Sequence, residues 1–173
     1  MKKNSEEFLA KLEKQNKVDN LYMQMAQIWS QNSYAVRRKV GCLIVKDNSV
    51  ISDGYNGTPS GFPNRCEYDI NRGPNYTLTD DQINEIVNSG NINDLVTYEY
   101  VLHAESNAIA KLSKSNNSSD GATLYVTDEP CIHCAKMIIQ AGIKRVVYGK
   151  PYRTHDGIEL LKRANIEIKQ LII

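Results

Sequence analysis

The 173-residue chain has no apolar run approaching the ~20 residues that a membrane-spanning helix needs. Its first residues, MKKNSEEFLAKLEKQ, open with two lysines but then turn charged rather than apolar, which is not the pattern of a secretory leader. Cysteine is scarce. There are four, and two of them, Cys131 and Cys134, stand three residues apart. That count and spacing argue against a disulfide framework and for a reduced protein with a metal site. Charge of one sign is not in excess either: 21 Lys and Arg against 20 Asp and Glu leave a net charge of +1. A protein that lives by wrapping nucleic acid is therefore not expected, whereas a small anion held by a few local charges is. No internal repeat is visible. With 41% hydrophobic and 24% charged residues, the chain reads as a single soluble, cytoplasmic domain over residues 1–173 with a sizeable core, and no membrane partner.

Residues 4–15 carry a polar, charged helical pattern, which predicts a peripheral N-terminal helix within residues 1–15. From there Val18, Leu21, Tyr22, Met25, Ile28 and Trp29 recur at helical spacing, predicting a core-packed helix that ends near Asn32 with Trp29 in the core. Two β-branched runs, 40–46 and 50–55, flank Asp47-Asn48-Ser49, a hairpin pattern. Gly57, Pro59, Gly61, Pro63, Gly73 and Pro74 mark residues 56–76 as a long irregular loop, and Ile83, Ile86 and Val87 suggest one or two short helices within 80–99. Residues 65–100 hold seven Asp or Glu against two Arg, and 62–100 reads as a loop and helix insertion on one domain.

The remaining pattern is regular. A helix is expected over 103–114, a strand over 122–127, a helix over 131–141 stopped by Gly142, a strand over 145–148, a helix over 156–164 capped by Asp156, and a strand over 166–171. Strands joined through helices run parallel with right-handed crossovers. With the hairpin, this makes an α/β fold on a mixed sheet whose last two strands are parallel.

The informative residues are His103-Ala104-Glu105 and Pro130-Cys131-Ile132-His133-Cys134. Cysteines at i and i+3 share a helix face, so both thiolates can reach one ion, and a helix N-terminus favours the thiolate form. Pro130 suits the start of that helix. His103 supplies a third ligand, and three protein ligands with an open fourth position are the catalytic arrangement of zinc. His133 projects to another side of the helix. In mid-helix, His103 and Glu105 would point about 200° apart, so their convergence requires the helix to start at His103. Glu105 then stands beside the open position as a general acid and base.

His-Ala-Glu followed by Pro-Cys-x-x-Cys is similar to the zinc-dependent nucleobase deaminase superfamily. Finer features resemble its deoxycytidylate (dCMP) deaminase branch: Val40-Gly41-Cys42, the loop Gly54-Tyr55-Asn56-Gly57-Thr58-Pro59-Ser60-Gly61, the helix His103-Ala104-Glu105-Ser106-Asn107-Ala108-Ile109, and residues 131–143. The similarity covers most of residues 20–170. It implies a cytidine-deaminase-like three-layer α-β-α sandwich, a five-stranded mixed sheet with its last two strands parallel. Three departures stand out: Ser106, where an apolar residue is common, the acidic pair Asp128-Glu129 before Pro130, and residues 1–15, which have no counterpart. Cys66 has no Cys or His nearer than Cys42, 24 residues before it, and none within thirty residues after it, so a second, structural zinc is not expected.

The resemblance further implies that zinc-activated hydroxide attacks C4 of cytosine, with Glu105 carrying protons to N3 and to the leaving amino group, giving dUMP and ammonia for thymidylate synthesis. The backbone N–H of Ala104 would hold the pyrimidine O2 and Asn56 the sugar; the alternative for Asn56 is a turn residue tolerating left-handed backbone. Among Arg37-Arg38-Lys39, Lys39 is the first choice for the phosphate. Tyr152 is a candidate beside base and phosphate. Relatives of this kind are often hexamers activated by dCTP and inhibited by dTTP with Mg2+, so Gly57, Thr58, Pro59 and Gly61 are candidate effector-site residues in a homo-oligomer. Two alternatives stay open: a deaminase of another base, nucleoside or transfer RNA, and a zinc module without catalysis.

Overall fold

The computed structural model describes residues 2–172, with side chains from residue 6 onward. Its elements in chain order are helix α1 (Lys2–Ser30), strands β1 (Gly41–Lys46), β2 (Ser49–Tyr55) and β3 (Glu67–Asp69), and helix α2 (Asp80–Asn88). A 3-10 turn at Ile92–Asp94 and β4 (Leu95–Thr97) complete the insertion, followed by α3 (Ala104–Leu112), β5 (Thr123–Asp128), α4 (Ile132–Gln140), β6 (Arg145–Lys150), α5 (Asp156–Arg163) and β7 (Glu167–Gln170). Five strands form one sheet in the order β2-β1-β5-β6-β7. β1 runs antiparallel to both β2 and β5, while β5, β6 and β7 are parallel. The expected mixed sheet with parallel last strands is what the chain builds. Asp47 and Asn48 turn the β1–β2 hairpin with φ of 49° and 60°, the paired positive values of a tight two-residue loop.

Both faces of the sheet are buried, so the central strands are continuously apolar rather than alternating with polar residues. Cys42, Ile44, Leu124, Val126, Val146 and Tyr148 pack under α3, α4 and α5. Leu43, Val45, Tyr125 and Val147 pack under α1. One glycine decides where α3 begins: a methyl group on Gly54 would collide with the Ala104 carbonyl, so β2 and the start of α3 touch backbone to backbone.

Five expectations need correction. The N-terminal helix and the one from Val18 are a single helix, because no proline or glycine interrupts residues 2–30. Residues 6–17 are all exposed, so the peripheral character is kept and only the break is absent. The buried face of α1 is Asp19, Met23 and Ala26, whereas Leu21, Met25 and Ile28 face outward on the opposite side. Helical spacing alone fits either stripe; the small Ala26 and the ion pairs of Asp19 decide which one meets the sheet. Trp29 is 38% exposed, and its Nε1–H donates to Asp53 at 2.7 Å. Within the supposed irregular loop, β3 pairs antiparallel with β4; strands of three residues are too short to show a period. Finally, His155 rather than Asp156 occupies the N-cap of α5.

The polar centre under α1 is Asp19, whose side chain is fully buried. Arg145 Nη1 and Nη2 reach its two oxygens at 2.8 Å each. Lys169 donates at 2.7 Å, Tyr125 Oη at 2.8 Å and Gln15 at 2.9 Å. Burial pushes this carboxyl up, but the bonds from Arg145, Lys169, Gln15 and Tyr125 outweigh it and hold it well below the usual carboxylate range. A depressed pKa in the folded state means that the unfolded chain binds the proton first. The stabilisation is therefore complete above about pH 5 and is lost as acid falls below about pH 4. Asp19→Ala should cost about 3 kcal/mol by stranding Arg145 and Lys169. Urea midpoints at pH 7 measure that loss, and repeating them at pH 3.5 should narrow the gap between the two proteins.

Candidate active site

His103 and Cys131 are the N-cap residues of α3 and α4, both in extended backbone, with φ and ψ of −72° and 157° for His103 and −72° and 169° for Cys131. An extended cap throws its side chain across the front of the helix instead of along its flank. The two caps thereby face each other, and Cys134 joins them from one turn inside α4. His103 Nδ1 lies 3.5 Å from the sulfur of Cys131 and 3.4 Å from that of Cys134. The three ligand atoms all fall within 4.8 Å of one another, and this is the metal-capable group found among the described residues. His133 is exposed and stands outside it.

The donor set fits zinc: one imidazole nitrogen and two sulfurs, with room for a fourth ligand on the cavity side. The protonation of the pair agrees. A hydrogen bond from Cys134, joined by His103, pulls the Cys131 thiol down to about 3, and the same bond pushes Cys134 up. The hydrogen bond to Cys131 raises His103. A bound dication would hold both sulfurs as thiolates. Bound there, zinc would supply a Lewis acid that makes water nucleophilic near neutral pH.

Glu105 is 4% exposed and sits one step inside α3, on the same side as His103, as a helix that starts at His103 requires. Burial pushes its carboxyl up to about 7, and a dication beside it would draw that back. Ala104 is the first helical residue and fully buried; an N–H at this position has no acceptor within its own helix.

His103, Ala104, Glu105 and Cys131 form the floor of a cavity of ≈ 270 Å³. One wall carries Arg37, Arg38 and Asn56, another Tyr152 and Arg153, and the insertion supplies Glu67, Ile92, Asn93 and Thr97 at the rim. Asn56 is not among the positive-φ residues, so it is not there for left-handed geometry. Its Oδ1 accepts from the Val40 N–H at 2.8 Å and its Nδ2 donates to the Arg38 carbonyl at 2.9 Å, fixing the segment that bears the arginines.

Lys39, the expected first choice for phosphate, does not line this cavity. It lines a separate one with Gln27, Thr127 and Lys150, on the side toward α1, because the backbone between Arg38 and β1 carries it away from the site. Arg38 pairs with Asp128 and donates to the Pro151 carbonyl at 3.4 Å. Arg37 and Arg153 have no ion-pair partner among the described residues. Sequence reasoning missed Arg153, Glu67 and Asn93. Only Arg153, next to the singled-out Tyr152, gave a hint. Gly57, Thr58, Pro59 and Gly61 line a distinct cavity of ≈ 280 Å³ with Tyr34 and Lys111.

Residues 16–150 match the cytidine and deoxycytidylate deaminase zinc-binding region. The chain belongs to this family. It is 35% identical over 165 residues to a deoxycytidylate deaminase of Enterobacteria phage T4, covering 84% of this chain and 86% of that one. It is 34% identical to a deoxycytidylate deaminase of Homo sapiens, covering 80% of this chain and 67% of the other. Among solved structures, a dCMP deaminase of the cyanophage S-TIM5 in complex with dCMP and dUMP superposes with a TM-score of 0.72 at 38% identity, covering 90% and 97% of the two chains. The fold and the deaminase family expected from the zinc motifs are thus both found.

Purified protein is expected to carry one zinc per chain by elemental analysis. Cys134→Ser and His103→Ala should each lower that content at least about tenfold, since each removes one of three ligands.

Proposed function

We propose that the protein hydrolyses dCMP to dUMP and ammonia. The carrying observation is that Arg37 and Arg153, which have no ion-pair partner among the described residues, line the same small cavity as His103, Cys131 and Glu105. An aminated base at the triad and a 5′-phosphate at the arginines satisfy both ends of such a site. Glu105, buried beside the cavity floor, takes one proton from the attacking water and delivers it to N3. It then takes the remaining proton from the new C4 hydroxyl and passes it to the amino group, which departs as ammonia and leaves the C4 carbonyl. The Ala104 N–H holds the pyrimidine O2, Asn56 borders the sugar, and Tyr152 flanks base and phosphate. The similar proteins named deoxycytidylate deaminase support the same substrate.

The reading is tested by following ultraviolet loss of the aminopyrimidine across cytosine, cytidine, deoxycytidine, CMP and dCMP. Turnover should be confined to dCMP. Preferred turnover of an unphosphorylated substrate would move the protein to another deaminase branch, and no turnover with zinc bound would make it a binding module. Glu105→Gln should lose about 100- to 10,000-fold in kcat with zinc retained. Arg37→Ala should raise KM for dCMP about tenfold or more, the loss of one charged hydrogen bond.

We further propose control by dCTP as activator and dTTP as inhibitor, each with Mg2+, at the cavity of Gly57, Thr58, Pro59 and Gly61. A physical link supports it: Gly57 exchanges backbone hydrogen bonds of 3.1 and 2.8 Å with Leu102, the residue before His103. The outward-facing Leu21, Met25 and Ile28 of α1 supply apolar surface for a homo-oligomer, which we take to be a hexamer. Light scattering should give six chain masses, and dCTP with Mg2+ should shift the dCMP saturation curve to lower concentration. A hyperbolic curve indifferent to dCTP and dTTP would remove the regulatory part.

A further inference from the structure

The acidic pair Asp128-Glu129 stands just before Pro130 and Cys131, and the proton transfers of the site use neither. Glu129 has a side chain with no exposed surface. It stands between the end of β5 and Cys131, and its own N–H donates to the Lys150 carbonyl at 2.8 Å. Its carboxylate accepts from the Tyr152 N–H at 3.2 Å and from His155 Nδ1–H at 2.9 and 3.1 Å. A carboxylate can only accept, so His155 presents the Nδ1–H tautomer to it.

The loop that receives these bonds has little else to hold it. Among the described residues, no backbone–backbone hydrogen bond outside the helices and strands involves residues 151–154. Pro151 has no N–H to offer, and Arg38 reaches only its carbonyl. Yet this loop carries Tyr152 and Arg153 into the cavity. At its far end Gly157 rests on the Pro130 carbonyl, where a methyl group would collide. A buried carboxylate left without donors is costly, so the loop is bound to the one position that supplies two of them.

We propose that Glu129 is a positioning residue: it clips loop 151–155 to the front of the zinc-binding helix and thereby sets Tyr152 and Arg153 against the nucleotide. The kinetic consequence rests on the dCMP reading above; the mechanical one does not. A misplacement of about 1 Å in a binding wall weakens the hold on substrate by an order of magnitude or more.

The experiment compares wild type, Glu129→Ala and Glu129→Gln, each with zinc bound, in two readouts. The first is KM and kcat for dCMP. The second is the rate of trypsin cleavage after Arg153, which needs no substrate. In Glu129→Ala, KM should rise at least about tenfold with kcat within about threefold, and cleavage after Arg153 should accelerate while other sites stay unchanged. Glutamine keeps an acceptor for Tyr152 and should bring both readouts back to within about threefold of wild type. The proposal is overturned if alanine leaves KM and Arg153 cleavage as in wild type. A fall in kcat and zinc content at unchanged KM overturns it too, since that marks a merely structural support of the helix. If the wild type turns over no dCMP, the substrate reading fails, and the cleavage comparison still decides the clip.

Discussion

Two helix N-termini meet front to front at one edge of the sheet, and the rest of the site is arranged around that encounter. α3 opens with His103 and α4 with Cys131, both in extended backbone that sends the cap side chain across the helix front. The free N–H groups there favour sulfur in its thiolate form. The geometry follows from strand order. β1 lies between β2 and β5, so the helix resting on β2 and the helix following β5 come together over β1. Gly54 permits the backbone contact that brings α3 down to the sheet. Such a cluster also explains a buried Glu105, since a carboxylate pushed up by burial is tolerable where a dication is to be held.

Around this floor, three carboxylates each fix a chain segment that bears an arginine. Glu67, from the insertion, accepts from the backbone N–H groups of Val36 and Arg37 at 3.1 to 3.3 Å. Asp128 pairs with Arg38, and burial raises its carboxyl against that pairing. Glu129 holds the loop that carries Arg153. Negative charge is thus used inside the walls, Glu67 and Glu129 against backbone donors and Asp128 against the Arg38 guanidinium, while Arg37 and Arg153 have no ion-pair partner among the described residues. Placement by backbone is more exact than placement by a flexible side chain, and preorganised cations are what recognition of a phosphate needs.

How much of this was legible in the chain depends on whether the cause is local. The start of α3 at His103 could be inferred because residues two apart converge only at a helix end. The parallel last strands followed from the helix between them, and the ligand triad from types and spacing. What the chain hides is set by contacts distant in sequence. The buried stripe of α1 is chosen by Asp19 meeting Arg145 and Lys169, more than a hundred residues away. Lys39, the first choice for phosphate, lies away from the cavity, and an extended segment gives no clue to which side faces the pocket. β3 and β4 form only because each finds the other across the insertion.

Net charge is the other quantity that misleads when summed. A total of +1 argues against a protein that wraps nucleic acid, yet it conceals a cavity walled by three arginines. The two facts act together. The insertion brings seven acidic residues against two arginines between positions 65 and 100, and part of it forms the cavity rim. Of those seven acidic residues, Glu67 lines the cavity, buried against the Val36 and Arg37 backbone beside the three arginines. One residue of an acidic segment thus serves to aim a cation of the wall, which no sum over the chain reveals.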